Sequence, residues 1–331
     1  MRAWLLDESP GKYRLTDIAE PAVGPGDVGI RVVASALNHM DLWVTRGMPR
    51  PPLPHVPGCD VAGVVERVGS DVTTVKIGDE VVVNPAVSPV DEIVALGNDS
   101  PMGAHFMIYG EHCWGGHADF AVAPARNVVA RPARTTWETC AAYPLAYLTA
   151  YRMLRRGRLR PGETLLVVGV GSGVSCAALA IGRAMGARVF ATSRSEAKRA
   201  QAITLGADDA FDSAAAKWPV AADVVIESVG PATWEQSVRA LKSGGRLVVC
   251  GGTSGPKVEL DLPRLFFKQI EIIGSTMGSY QEFAELTRLV EQGLAIQVDE
   301  VFALGEYETA LARLENGEQL GKIVLRHEGV R

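Results

Sequence analysis

The spacing of apolar residues changes near residue 160. Before that point they fall in short β-rich runs broken by turn residues: VGIRVVAS, DVAGVVERVGS and TTVKIGDEVVV, the last two separated by Gly69 and the last closed by Gly78-Asp79. Such runs predict a small, mostly antiparallel barrel or sandwich. Residues 84–117 hold no clear period and many glycine, proline and polar residues, so they predict a long surface excursion before HADFAVAPARNVVARP resumes the β pattern. Further on, TLLVV, ARVFAT, DVVIESV and GRLVVCGG read as buried strands, and SGVSCAALAIGRAMG, SEAKRAQAITLGA and PATWEQSVRALKSGG as the helices between them. That alternation means βαβ units and a parallel sheet. After EIIGSTMG the chain offers a helix, YQEFAELTRLVEQG, a short strand, a second helix, EYETALARLENG, and a closing strand, GKIVLR.

A chain of 331 residues exceeds the size at which one core keeps growing, which predicts two domains. Hydrophobic residues make up 47% and the net charge is -5 with signs well mixed, so a basic nucleic-acid surface is not expected and small molecules are the expected partners. MRAWLLDESPG has too few apolar residues for a signal-peptide core, and no later run reaches membrane length. Five cysteines, with no CxxC pair, suit a reducing compartment and provide neither a disulfide framework nor a cysteine zinc site; the expected location is the cytoplasm.

The junction TLLVVGVGSGVSCAALA places Gly169, Gly171 and Gly173 between a strand and a helix, where backbone N–H groups can approach a pyrophosphate. The G-x-G-x-x-G spacing is incomplete, because Val174 and Cys176 stand at the third positions. The flanking βαβ units still favour a dinucleotide site over an ordinary turn. The next strand ends ATSRSEAKR. It has Ser193 and Arg194 where an acidic residue would bind an NAD ribose, with Lys198 one turn on, so the expected cofactor is NADP(H). Ser193 with Glu196 also fits a helix capping box.

Taken together, ALNHMDLWVTRG, VPGCDVAGVVERVGSDV, KIGDEVV, AAYPLAYLTAYRML, LRPGETLLVVGVGSGV, ITLGADDAFD, EIIGSTMGS and GKIVLR resemble the medium-chain dehydrogenase/reductase superfamily over essentially the whole chain. The resemblance implies an α/β protein with a β-rich GroES-like catalytic domain, residues 1–125 and 279–331, and a Rossmann cofactor-binding domain, residues 126–278. It also implies an active site in the cleft between the domains and a homodimer paired through the strand EIIGS. Ser172, Gly171, Gly173 and Val174 would face the pyrophosphate. Thr149, Gly230, Gly251, Thr253, Ser275, Thr276 and Met277 would line the nicotinamide pocket, with ordinary turn chemistry as the competing reading.

Laid on the zinc alcohol dehydrogenases of this superfamily, the chain has Asn38 for a cysteine ligand, Gly58-Cys59-Asp60 for the G-H-E stretch and Leu145 for the last ligand. Asn38 and Leu145 are poor zinc partners, so no catalytic zinc is expected. Pro89, Glu92, Ala95 and Gly103 fall where four thiolates of a structural zinc lobe would stand, so no zinc is expected there either. Asn38-His39-Met40-Asp41 resembles the N-x-x-D stretch of the quinone oxidoreductase branch. The expected activity is NADPH-dependent hydride transfer to a quinone or α,β-unsaturated carbonyl. Without a metal the developing oxyanion needs hydrogen-bond donors, and Asn38, His39, Tyr143 and Tyr109 are the candidates. Asp41 reads as an orienting or structural carboxylate, Cys59 as a small buried residue, and His112, Cys113 and His117 as turn and surface positions. The alternatives are an alcohol dehydrogenase acting on a small alcohol or aldehyde, and a cofactor-binding sensor with little turnover.

Overall fold

The computed structural model describes residues 1–328 and divides into two compact units. One is Met1–Leu148 with the chain from Gly278 onward; the other is Thr149–Met277. The first begins with β1 (Arg2–Leu5), β2 (Arg14–Asp17), β3 (Asp27–Ala36) and helix α1 (His39–Thr45). Strands β4 (Asp60–Val68), β5 (Glu80–Val83) and β6 (Ala86–Val87) follow, then α2 (Val90–Leu96), β7 (Met107–Ile108), β8 (Phe120–Pro124), β9 (Val128–Ala130), α3 (Trp137–Ala142) and α4 (Pro144–Arg156). The chain passes into the second unit within α4.

Strand β3, DVGIRVVASA, is buried along nearly its whole length because it is the hub of the larger sheet, with antiparallel partners β4, β8 and β17. Strand order in that sheet is β16-β17-β3-β4-β5-β9, with β8 on β3. The outer pair comes from the C-terminal return, α9 (Tyr280–Glu291), β16 (Val298–Ala303), α10 (Tyr307–Glu315) and β17 (Lys322–Arg326), and β16 pairs parallel with β17. Val28, Ile30, Val61, Val81, Val83 and Ala121 form one core of this unit. Trp4, Leu42, Tyr307 and Leu325 belong to another, beside α1 and α10.

The second unit holds β10 (Thr164–Val167), α5 (Gly173–Ala184), β11 (Arg188–Ser193), α6 (Glu196–Thr204), β12 (Asp209–Asp212), β13 (Ala222–Glu227), α7 (Trp234–Ala240), β14 (Leu241–Val249), α8 (Leu262–Phe267) and β15 (Glu271–Gly274). All pairings in its sheet are parallel, in the order β12-β11-β10-β13-β14-β15. Numbered within the unit this is 3-2-1-4-5-6, the doubly wound order with its switch point between β10 and β13. Central β10, TLLV, is buried throughout, and each such aliphatic side chain contributes about 1.5–3 kcal/mol of burial.

Two expectations need correction. Residues 126–148 belong with the first unit, because β9 pairs antiparallel with β5 and α3 packs on β3, β4 and β17. The division therefore falls at Leu148/Thr149 and at Met277/Gly278, where the sequence reading has 125/126 and 278/279. The helix expected over PATWEQSVRALKSGG ends at Ala240, since Leu241 pairs with Ala222 and opens β14. Among the described residues no helix is long and apolar enough to cross a membrane.

Candidate active site

In the second unit the predicted cofactor residues follow the C-terminal ends of the parallel strands. Gly169 to Gly173 come after β10, Ser193 ends β11 and Arg194 follows it, Gly230 follows β13, Gly251 and Thr253 follow β14, and Ser275, Thr276 and Met277 follow β15. Ligands of doubly wound sheets bind at this edge. The turn after β10 is held by Val170 N–H to Thr192 O at 2.7 Å and Gly169 N–H to Thr192 Oγ1 at 3.1 Å. Gly169 has φ +71° and Gly171 φ +143°, and a Cβ on Gly169 would meet Val229 Cγ2 at 2.8 Å. These positions need glycine. Ser172 caps α5 by accepting from Ser175 N–H, and Ser175 Oγ accepts from Gly171 N–H, so two serines do the ordering that the incomplete glycine pattern leaves open. Val174 stands in the helix's first turn, and Thr149 is buried on α4. The N-terminus of α5 and its Gly-lined turn fit a pyrophosphate.

At the end of β11, Arg194 is exposed and Lys198 half-buried. The cap of α6 is Ser195, whose hydroxyl accepts from Lys198 N–H, which corrects the expected Ser193 cap. Ser193 Oγ instead accepts from Ser195 N–H. Arg199, which the sequence reading passed over, donates to Ser193 O at 2.8 Å and Arg194 O at 3.2 Å and tightens the same turn. Glu227 was also missed. Its buried carboxylate accepts from Val229 N–H, Gly230 N–H, Thr233 Oγ1 and Ser237 Oγ, and fixes the loop after β13.

In the first unit the segments aligned with metal ligands converge on a lysine. Lys322 Nζ donates to Asn38 Oδ1 at 2.6 Å, Leu37 O at 2.7 Å and Asp60 Oδ2 at 2.8 Å. Asp60 Oδ2 also accepts from Asn38 Nδ2 at 2.9 Å, and Asp60 Oδ1 from Leu145 N–H at 2.7 Å. Asn38 is the N-cap of α1, and its N–H donates to Asp41 Oδ2 at 2.8 Å. Asp41 thereby holds the first turn, and the Asn38 carboxamide is engaged at both ends. Lys322 went unnoticed in the sequence. The available signal was a lone cation opening the apolar strand KIVLR, which must find a partner once buried.

His39 opens α1, half-buried, with its ring centroid 6.2 Å from that of Trp43. Burial, then the nearby Lys322 charge, hold its pKa below the usual imidazole value, so the ring is neutral at pH 7. Ser35 Oγ lies 2.9 Å from both His117 Nδ1 and His327 Nε2, and His117 Nε2 lies 3.7 Å from Asp41 Oδ2. His117 is thus fully buried, which corrects its expected surface role.

Two candidate oxyanion donors lie elsewhere. Tyr143 is fully buried, with its ring stacked on Phe283 and its hydroxyl 3.2 Å from Thr287 Oγ1 of α9. Tyr109 is buried in the β-sheet core, and burial raises both phenol pKa values. Neither meets the Asn38 centre. The excursion is held without thiolates: Glu92 accepts from His105 N–H at 3.1 Å and lies 2.8 Å from His105 Nδ1. A Cβ on Gly103 would sit 1.9 Å from Glu92 Oε2. Asn127 Nδ2 donates to Asn84 O and Ala86 O at the base of the excursion, and Ser279 Oγ donates to Asn98 Oδ1.

Comparison with known proteins agrees with this architecture. Residues 24–133 match the alcohol dehydrogenase GroES-like domain, and residues 173–292 the zinc-binding dehydrogenase family. A zinc-type alcohol dehydrogenase-like protein of Schizosaccharomyces pombe is 32% identical over 92% of each chain. The chain belongs to the medium-chain dehydrogenase/reductase superfamily. It is an oxidoreductase of that family. An acryloyl-coenzyme A reductase of Metallosphaera sedula is 29% identical over 98% of this chain and 99% of that one. A cobalt- and zinc-bound thermostable alcohol dehydrogenase from Pyrobaculum aerophilum superposes with a TM-score of 0.92 at 35% identity, covering 98% and 99%.

Zinc does not fit the residues at the Asn38 centre. The carboxamide is a poor ligand, Leu145 contributes only a backbone N–H, and Lys322 already donates to the oxygens a cation would need. Cys59 is fully buried, and desolvation, followed by the Asp41 and Asp60 charges, raises its pKa well above normal. Among the described residues no three His, Cys, Asp or Glu side chains converge as a metal site.

Proposed function

We propose that the protein is an NADPH-dependent reductase that passes hydride to an α,β-unsaturated carbonyl or a quinone without zinc. The observation that carries this reading is the Lys322–Asp60–Asn38 centre, where a lysine ammonium takes the coordination that a Lewis acid would need. A simple carbonyl depends on strong polarisation of its oxygen. A conjugated acceptor depends on it less, because the charge left by hydride addition spreads onto the distal oxygen. The likeness to an acryloyl-coenzyme A reductase supports an enone acceptor.

NADPH, when bound, supplies the hydride. Gly169 to Gly173 and the start of α5 would hold its pyrophosphate, Arg194 and Lys198 its 2'-phosphate, and the loops ending in Gly230, Gly251, Thr253 and Ser275 to Met277 its nicotinamide end. Ser193 and Arg194 stand where an acidic residue would bind an NAD ribose. In the first unit His39, neutral and at the start of α1, would donate a hydrogen bond to the acceptor's oxygen, with water completing protonation. The working unit is a homodimer joined along β15, and five cysteines free of disulfides suit the cytoplasm.

The test is a steady-state panel of NADPH and NADH against a short enal and a benzoquinone, with NADP and ethanol or benzyl alcohol run in the other direction. Enal or quinone reduction preferring NADPH supports the reading. Alcohol oxidation alone overturns it in favour of an alcohol dehydrogenase, and NADPH binding without turnover overturns it in favour of a sensor.

A further inference from the structure

At the Asn38 centre the cation is the side chain of Lys322. Lys322 Nζ has three N–H bonds, and Leu37 O, Asn38 Oδ1 and Asp60 Oδ2 take all three between 2.6 and 2.8 Å. None is left for a substrate, so the lysine touches no reacting atom. Its partners span separate elements: Leu37 and Asn38 join β3 to α1, Asp60 opens β4, and Asp60 in turn receives Leu145 N–H from the first turn of α4. Because Asn38 Oδ1 accepts from the ammonium, the amide nitrogen must face Asp60, which fixes the carboxamide of the residue that opens α1, while Asn38 N–H donating to Asp41 Oδ2 holds the first turn.

We propose that Lys322 is a positioning residue. Its ammonium holds the Asn38 cap and the first turn of α1, and with it His39, in working geometry, and it closes the centre to a divalent metal ion. The role of His39 rests on the function proposed above; the positioning of the turn does not. Loss of the ammonium frees the Asn38 carboxamide to rotate and leaves the Asp60 carboxylate without its counter-charge. A shift of His39 by an ångström or so lowers turnover by about 10- to 100-fold.

Three proteins test this: wild type, Lys322→Ala, and the doubly neutral Lys322→Met/Asp60→Asn, each checked for folding by circular dichroism. Amide exchange is followed in peptides covering 37–42 and 144–148, and enal turnover is measured with and without ethylammonium or tetramethylammonium. The expected result for Lys322→Ala is lost protection in both peptides and turnover lowered by about 10- to 100-fold at unchanged NADPH affinity. Ethylammonium, which has N–H donors and fits the vacated volume, restores both saturably, whereas tetramethylammonium restores neither. The folded double variant stays slow, and wild type takes up no cobalt(II) or zinc at this centre in a metal titration.

The proposal is overturned if the folded double variant turns over at the wild-type rate, if exchange in both peptides is unchanged in a folded variant, or if wild type binds either metal stoichiometrically through Asp60. If Lys322→Ala does not fold, the double variant decides. If wild type itself reduces no enal or quinone, the functional reading has failed, and the exchange and ethylammonium measurements still decide the role of Lys322.

Discussion

Lys322 Nζ and Asp60 Oδ2 meet at 2.8 Å with both side chains almost wholly withdrawn from solvent. The desolvation cost of such a pair is met only while both charges are present. Removing one partner, as in Lys322→Met or Asp60→Asn, is expected to cost about 3–5 kcal/mol, whereas replacing both costs less than the sum of the two. Urea denaturation of the four proteins in a double-mutant cycle measures the coupling.

The proposed preference for NADPH is tested at the end of β11. Arg194→Asp replaces a cation near the expected 2'-phosphate with an anion and is expected to weaken NADPH binding by about tenfold or more, with NADH binding nearly unchanged. Arg199→Met, which releases Ser193 O and Arg194 O, is expected to weaken both cofactors by loosening the turn. Fluorescence titration with each nucleotide separates the two effects.

Two buried histidines give stability a pH dependence. Burial lowers the pKa of His55 to about 4 and that of His327 to about 3, from an ordinary value of 6.5. The unfolded chain therefore takes up protons that the folded chain refuses as pH falls below 6.5. Their stabilising contribution is complete above that value and is lost on acidification toward 4 and then 3. With both refusing protons, the slope approaches about 2.7 kcal/mol per pH unit near pH 5. Urea midpoints at pH 7.5, 6 and 5 measure it, and His327→Asn is expected to remove about half.

The outer edge of β15 carries the proposed dimer contact. Among the described residues this strand pairs only with β14, and Phe266 and Phe267 of α8, which precedes it in the chain, are 60% and 80% exposed, with Leu262 and Ile272 also exposed. An unpaired edge flanked by large apolar groups is satisfied by a second copy across a two-fold axis. Phe266→Asp/Phe267→Asp is expected to convert a dimer into a monomer by light scattering. Wild type running as a monomer contradicts the assignment.

The parallel sheet was legible because its strands are short apolar runs separated by amphipathic helices, and the Gly169 to Gly173 turn was legible from its place between β10 and α5. The chemistry of the first unit was less so. Lys322 lies 262 positions from Asp60, and no local pattern links a lysine at the head of an apolar strand to that carboxylate. Tyr143 lies two positions from Leu145 in sequence, yet its hydroxyl points to Thr287 of α9, a direction only the packing of the C-terminal return decides. The Ser195 cap was missed because two serines stand two apart and the hydroxyl that meets Lys198 N–H depends on backbone angles. The excursion was read as carrying Pro89, Glu92, Ala95 and Gly103 where four thiolates would stand, and its Glu92 to His105 clasp joins loop positions that periodicity does not pair.

The most direct measurement is enal reduction by NADPH before and after exhaustive chelation, on protein of known metal content, with zinc then added back. The expected result is a rate unchanged by chelation and by zinc, at far less than one metal per chain. Activity that disappears on chelation and returns with stoichiometric zinc contradicts a lysine-centred, metal-free site.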